Sequence, residues 1–236
     1  MEPEGTHRGG LGAELDRIEA AVDAGDADLR RLGFWRLVGL IKRDDEAVER
    51  HADQVGRIDA KAFARAPLVR LPVWVGLVLM VLAVAAGAGA VTVALDAGGP
   101  TTSGVALVAA AGLWAAGLHS LTHYVVGRAV GIGFTHLFGK LPPPPLPGLK
   151  TDYASYLRTS PVARAWMHAS GAVATKAAPF LALAFAPAAG APAWAIAVLV
   201  GLGLFQLATD VLFSTKASDW KKVRRELSVA RAWRAP

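Results

Sequence analysis

Hydrophobic and polar positions split the chain into two regimes. Over residues 11–66 polar residues prevail, and "AELDRIEAAVDAGDADLRRL" and "DDEAVERHADQVGRIDAKAFARA" are mixtures of Ala, Glu, Asp and Arg that favour helix. Where they meet, "LRRLGFWRLVGLIKR" carries Leu29, Leu32, Leu37, Leu40 and Ile41 as an imperfect apolar stripe, with Arg30, Arg31, Arg36, Lys42 and Arg43 around it. Two readings fit that stripe: an amphipathic helix lying on a membrane surface, or one helix of a small bundle. Past residue 66 the pattern changes. Four apolar segments follow, at about 71–95, 105–126, 165–188 and 193–213. Each has roughly the 20 residues that a helix needs to cross a hydrocarbon core. The pattern therefore predicts an all-α, polytopic membrane protein with about four transmembrane helices and a small helical N-terminal segment over 1–66. The transmembrane domain spans 67–215, and a basic tail occupies 216–236.

The loops set an orientation. Lys61, Arg65 and Arg70 precede the first segment, and Arg128, Lys140, Lys150, Arg158 and Arg164 lie between the second and third. Lys216, Lys221, Lys222, Arg224 and Arg225 follow the fourth, while "DAGGPTTS" and "PAAGAP" carry no basic residue. This alternation obeys the positive-inside rule with both termini cytosolic, and predicts a multi-pass protein of the cytoplasmic membrane. The first ten residues are expected to be disordered, and no apolar run follows a basic start as in a cleavable signal peptide. The long loop 127–164 contains "LPPPPLPG" (141–148), a stiff polyproline stretch that suits a rigid spacer or a proline-motif docking site. "GIGFTHLF" before it suits a short extended or re-entrant element.

Composition agrees. Hydrophobic residues make up 53% of the 236 and mean hydropathy is +0.38, above the roughly 45–50% apolar share of soluble domains. The net charge of +6 sits beside the spans, where it meets anionic headgroups. No basic patch is interleaved with aromatic residues, so the expected partner is the lipid bilayer, with no nucleic acid. Cysteine is absent, which excludes disulfides, thiolate zinc sites and iron–sulfur clusters, and leaves His and carboxylate as metal ligands.

Ionisable residues inside spans are costly and mark functional sites. Five stand out: His119, His123, His168, Lys176 and Asp210. At 1.5 Å per residue all but Lys176 fall within roughly 4–11 Å of the cytosolic face. His119 and His123 are i and i+4, so both imidazoles share one helix face. Two such imidazoles and a carboxylate make three metal ligands. Asp210 is the candidate at matching depth, with Gln206 one turn away, and His168 could add a ligand or a group on the substrate side.

"HSLTHYVVGRAVGIGFTH" resembles the HExxH helix of site-2 proteases, the intramembrane zinc metalloproteases of the M50 class. "HASGAVATK" (168–176) is similar to a divergent form of that family's later small-residue motif. "TDVLFSTKASDW" (209–220) is placed like its aspartate-bearing span. The resemblance covers about 112–226. It implies zinc held by His119, His123 and Asp210, and a transmembrane segment of another protein as partner. One position departs from the pattern: Ser120 stands where the family has the glutamate that acts as general base. Asp152 and Asp219, expected in loops, could replace it only by folding back. The resemblance thus implies a zinc-binding protein with impaired or absent proteolysis. An active divergent protease, a metal or proton transporter, a haem protein with His168 facing His119 or His123, and a scaffold without a site remain as alternatives.

Overall fold

The computed structural model describes residues 5–66, 69–139, 148–212 and 218–233. The N-terminal region forms a bundle of α1 (Gly5–Asp23), α2 (Phe34–Ile41) and α3 (Asp45–Arg65). Leu15, Ile18 and Val22 recur at helical spacing on one face of α1, and meet Phe34, Leu37, Val38 and Ile41 of α2 and Val48, Val55 and Ile58 of α3 in a buried core. Asp44 caps α3 by accepting the Ala47 N–H at 3.2 Å. For the stripe at 29–43, packing within the bundle accounts for α2: Leu37 and Ile41 point inward, while Trp35 and Leu40 stay exposed. Helix α1 begins at Gly5, within the stretch expected to be disordered. Extending a packed helix costs less than starting one.

The chain is mostly helical, with one addition that the all-α expectation lacked. Strands β1 (Val69–Pro72), β2 (Phe134–Gly139) and β3 (Gly148–Thr151) form an antiparallel sheet in the order β1-β2-β3. Val69 pairs with Gly139 and Pro72 with His136. The "GIGFTHLF" stretch is thus the central strand. The polyproline spacer at 141–148 lies outside the described residues except for Gly148, which opens β3.

Strand β1 leads directly into α4 (Val73–Leu95), followed by α5 (Pro100–Ala129). Both are long and apolar enough to cross a membrane, and only 22% of the most apolar window of α4 is buried within the protein. A core helix of a soluble domain would be covered. Here Trp74, Val78, Leu79, Val81 and Leu82 face outward. The expected third and fourth segments are helices α7 (Pro161–Ala184) and α8 (Ala193–Leu212), with a short α6 (Tyr153–Arg158) before them and α9 (Asp219–Ala232) after them. Helix α5 packs between α4 and α7. Its buried face is largely small residues, Gly, Ala and Ser, and Ala106, Ala110 and Ala111 lie in one cluster with Ala94, Ala178, Ala182 and Leu199. Small side chains let helices approach closely.

Two features position the site. Helix α5 ends in a Schellman motif: Ile132 N–H donates to Gly127 O (2.8 Å) and Gly131 N–H to Arg128 O (3.1 Å). Gly131 takes φ +92° and turns the chain from α5 into β2. The basic tail folds back, so that α9 packs on α7 through Trp220, Val223, Ala165 and Ala169.

Candidate metal centre

Helix α5 presents His119 and His123 one turn apart, with ring centroids 4.7 Å from each other. Helix α7 lies against them and supplies their acceptors. His123 Nδ1 is 2.6 Å from Met167 O. His119 Nδ1 is 3.2 Å from Gly171 O and 2.9 Å from Thr175 Oγ1. A backbone carbonyl only accepts, so each Nδ1 carries the proton, and a ring that binds a metal would offer its Nε2 lone pair. The carboxylate that meets those lone pairs belongs to Asp219. Its Oδ2 is 3.2 Å from His123 Nε2 and 3.7 Å from His119 Nε2. Three acceptors thus converge, their ligand atoms within 4.8 Å of one another.

Such a convergence needs a positive charge between the groups, either a proton on Nε2 or a metal ion. His119, His123 and Asp219 form a group that can hold a metal ion. The spacing fits: a tetrahedral ion with ligands at about 2.0–2.1 Å sets them roughly 3.3 Å apart. The surroundings fit as well. Histidine ligands almost always donate their other N–H to a carbonyl, carboxylate or water, and both rings here do so. Lys222 Nζ holds the second carboxylate oxygen, Asp219 Oδ1, at 2.9 Å. Burial works to raise the Asp219 carboxyl, but a hydrogen bond from His123, made when a proton rather than a metal ion occupies Nε2, and the charge of Lys222 outweigh it and keep the group well below the usual carboxylate range.

The three residues line a cavity of about 190 Å³, shared with Ser120, His168, Met167, Lys222 and residues of β2 and β3. His168 stands at its edge. Its Nε2 is 2.9 Å from the Tyr156 hydroxyl and its Nδ1 4.0 Å from Asp219 Oδ1. Ser120 is buried beside the histidines. Among the described residues lining the cavity Asp219 is the one carboxylate.

The small-residue motif has a steric purpose. A Cβ on Gly171 would stand 2.2 Å from His123 Nε2, so only glycine there lets the ring lie flush on α7.

The sequence-derived residues are distributed as follows. His119 and His123 share the centre and His168 borders it. Lys176 Nζ donates to Ala172 O at 3.1 Å and sits 5.9 Å from the Trp220 ring centroid, away from the cavity. Gln206 lies on α8, its buried Oε1 without a hydrogen-bond partner, and does not line the cavity. Asp210 falls in the last turn of α8, and its side chain lies outside the described residues. Asp219, expected in a loop, instead opens α9 and reaches the histidines because α9 folds back on α7.

No family model, curated protein or solved structure matches this chain.

Proposed function

We propose that this chain is a multi-pass membrane protein that holds a zinc ion in a site-2-protease-like centre and has lost the carboxylate that drives proteolysis. The observation carrying the reading is the commitment of both Nδ1 atoms to backbone carbonyls. It leaves two imidazole lone pairs and one carboxylate oxygen aimed at a common point, an arrangement made for a cation. Two nitrogens and one oxygen suit zinc, and three protein ligands leave a position open for another group.

A bound zinc ion supplies Lewis acidity toward a carbonyl oxygen. The chain's own residues do the rest. Met167 O and Gly171 O orient the two rings, and Lys222 orients the carboxylate. Phe134, Phe138 and Leu149 give the cavity an apolar wall, suited to a segment of another membrane protein. Ser120 has no useful basicity near neutral pH, so the proton transfer worth roughly 10²–10⁴-fold in rate lacks its usual carrier. The centre binds and presents rather than cuts. The apolar faces of α7 and α8, with Trp166, Val173, Phe205 and Leu204 outward, support four spans, and the alternation of basic loops supports cytosolic termini.

Elemental analysis of the detergent-purified protein tests the metal reading: about one zinc per chain is expected, lost in His119→Ala, His123→Ala and Asp219→Ala. A metal-free wild type refutes it. Ser120→Glu tests the missing base, with proteolysis of a membrane substrate gained over an inactive wild type. Cleavage by the wild type, abolished in His123→Ala, would establish an active protease instead.

A further inference from the structure

Helix α9 carries two carboxylates that do different things. Asp219 reaches the histidines, and Glu226, seven residues on, lies two turns along the same helix, about 10 Å away. Glu226 is almost wholly buried and is held from three elements at once. Lys42, just past the end of α2, reaches Oε1 at 2.5 Å. The Tyr156 hydroxyl of α6 donates to the same oxygen at 2.9 Å, and Arg164 Nε of α7 donates to Oε2 at 2.6 Å. A second tie runs from the far end of the helix, where Trp233 Nε1 donates to Lys42 O at 2.8 Å. Lys42 therefore grips α9 through both its ammonium and its carbonyl. Its ammonium also lies over the Tyr156 ring, 4.6 Å from the centroid, and Tyr156 is the residue hydrogen-bonded to His168 at the edge of the metal cavity.

The apolar contact described between α9 and α7 is a poor axial stop. Val223 and Trp220 rest on Ala165 and Ala169, small side chains over which a helix can slide. A slip of one residue moves Asp219 by about 1.5 Å, whereas metal–ligand distances tolerate about 0.2 Å. The buried charge cluster sets that axial position, and the N-terminal bundle supplies one of its two cations.

We propose that Lys42 is a positioning residue for the metal centre: the N-terminal bundle, by gripping Glu226 and Trp233, holds Asp219 in register with His119 and His123, so that zinc affinity depends on a domain that contributes no ligand. The inference rests on the metal reading above. It makes the bundle a means of control, since whatever draws it off α9 loosens the third ligand.

The test uses the full chain in detergent micelles, with zinc affinity measured by competition against a fluorescent chelator and helical content by circular dichroism. Lys42→Met keeps the length and apolar stem and removes the charge. It should weaken zinc binding by about 10- to 100-fold, the range for outer contacts of metal ligands, with helical content unchanged. Lys42→Arg should restore most of the affinity. In an Asp219→Asn background, where the two histidines keep only a weak zinc affinity read at raised zinc concentration, Lys42→Met should cost nothing further, because the two act through one ligand. Should Lys42→Met fail to fold, Glu226→Gln, which keeps the volume, carries the same expectation. Wild-type affinity in Lys42→Met or in that substitute overturns the proposal, as does an equal loss in the Asp219→Asn background. A wild type that binds no zinc overturns the metal reading, and this inference with it.

Discussion

Gly171→Ala is the smallest change that should dismantle the centre without touching a ligand. The new methyl would lie 2.2 Å from His123 Nε2 and 2.5 Å from the adjoining ring carbons, against the 3.4 Å at which ordinary contact begins. One of the two must retreat by more than 1 Å. The ring cannot pivot freely, because Nδ1 is tied to Met167 O at 2.6 Å. The helix cannot shift freely either, because Gly171 O is itself an acceptor for His119. Either movement exceeds several times over the tolerance of about 0.2 Å for a metal ligand. Loss of a properly placed histidine should lower zinc affinity by on the order of 100-fold, equivalent to about 2.7 kcal/mol. Overpacking should separately destabilise the fold by about 1–3 kcal/mol. Chelator competition reads the first effect and thermal unfolding in detergent the second. The double variant Gly171→Ala/His123→Ala separates them: with the ring gone the methyl has room, so stability should recover while zinc binding stays lost. Unchanged zinc affinity in Gly171→Ala would refute the close packing of His123 on α7 as the basis of the site.

Three further outcomes are expected. Asp219→Asn should abolish stoichiometric zinc while Asp210→Asn retains it, by elemental analysis of the two purified variants; the reverse result would move the third ligand to α8. Arg164→Leu removes the donor to Glu226 together with the Arg164 Nη1 hydrogen bonds to the Leu157 and Thr159 carbonyls, and should destabilise by about 3–5 kcal/mol, as breaking a buried ion pair does; thermal unfolding measures it. Stability should also fall in acid. Burial works to raise the Glu226 carboxyl, but Lys42 and Arg164 hold it below its ordinary 4.5, and Asp219 is likewise held below 3.8. Both groups are depressed in the folded state, so their contribution is complete above those ordinary values and is lost as pH falls through the lower folded ones. Thermal midpoints taken downward from pH 7 should drop below about pH 4.5, less steeply in Glu226→Gln, and identical profiles for the two proteins would contradict the role of that carboxylate.

The histidine pair is readable in the sequence because i,i+4 spacing survives any tertiary arrangement. The apolar segments are readable because each is long enough to define its own helix. Asp219 is not, and the reason is physical. "SDWKKVRRELSVARA" is amphipathic and basic, a pattern shared by a helix lying on headgroups and one packed on a neighbour. One feature does separate them. Asp219 and Glu226 stand two turns apart on one face with Val223 between them, and a buried carboxylate needs buried cations, which Lys42 and Arg164 provide from far along the chain. The sheet escapes for a similar reason: one of the two partners of β2 is β1, more than sixty residues upstream, and four residues ending in a proline look like the start of a span. Gly171 was visible as part of a small-residue motif, while its service to the His123 ring appears only once α5 and α7 are set side by side.

The order of parts along the chain has a consequence for synthesis. The histidines and the carbonyls that orient them are in place once α7 has been made, but Asp219 follows α8. Until α9 emerges and folds back, the nascent protein has two nitrogens and no carboxylate, a weak trap for any divalent ion it meets. The bundle that receives α9 precedes the apolar segments and has by then been made. On the zinc reading proposed above, the ion would be captured tightly only after α9 has met the N-terminal bundle, which would make metal uptake a report that the apolar segments between them have been threaded correctly.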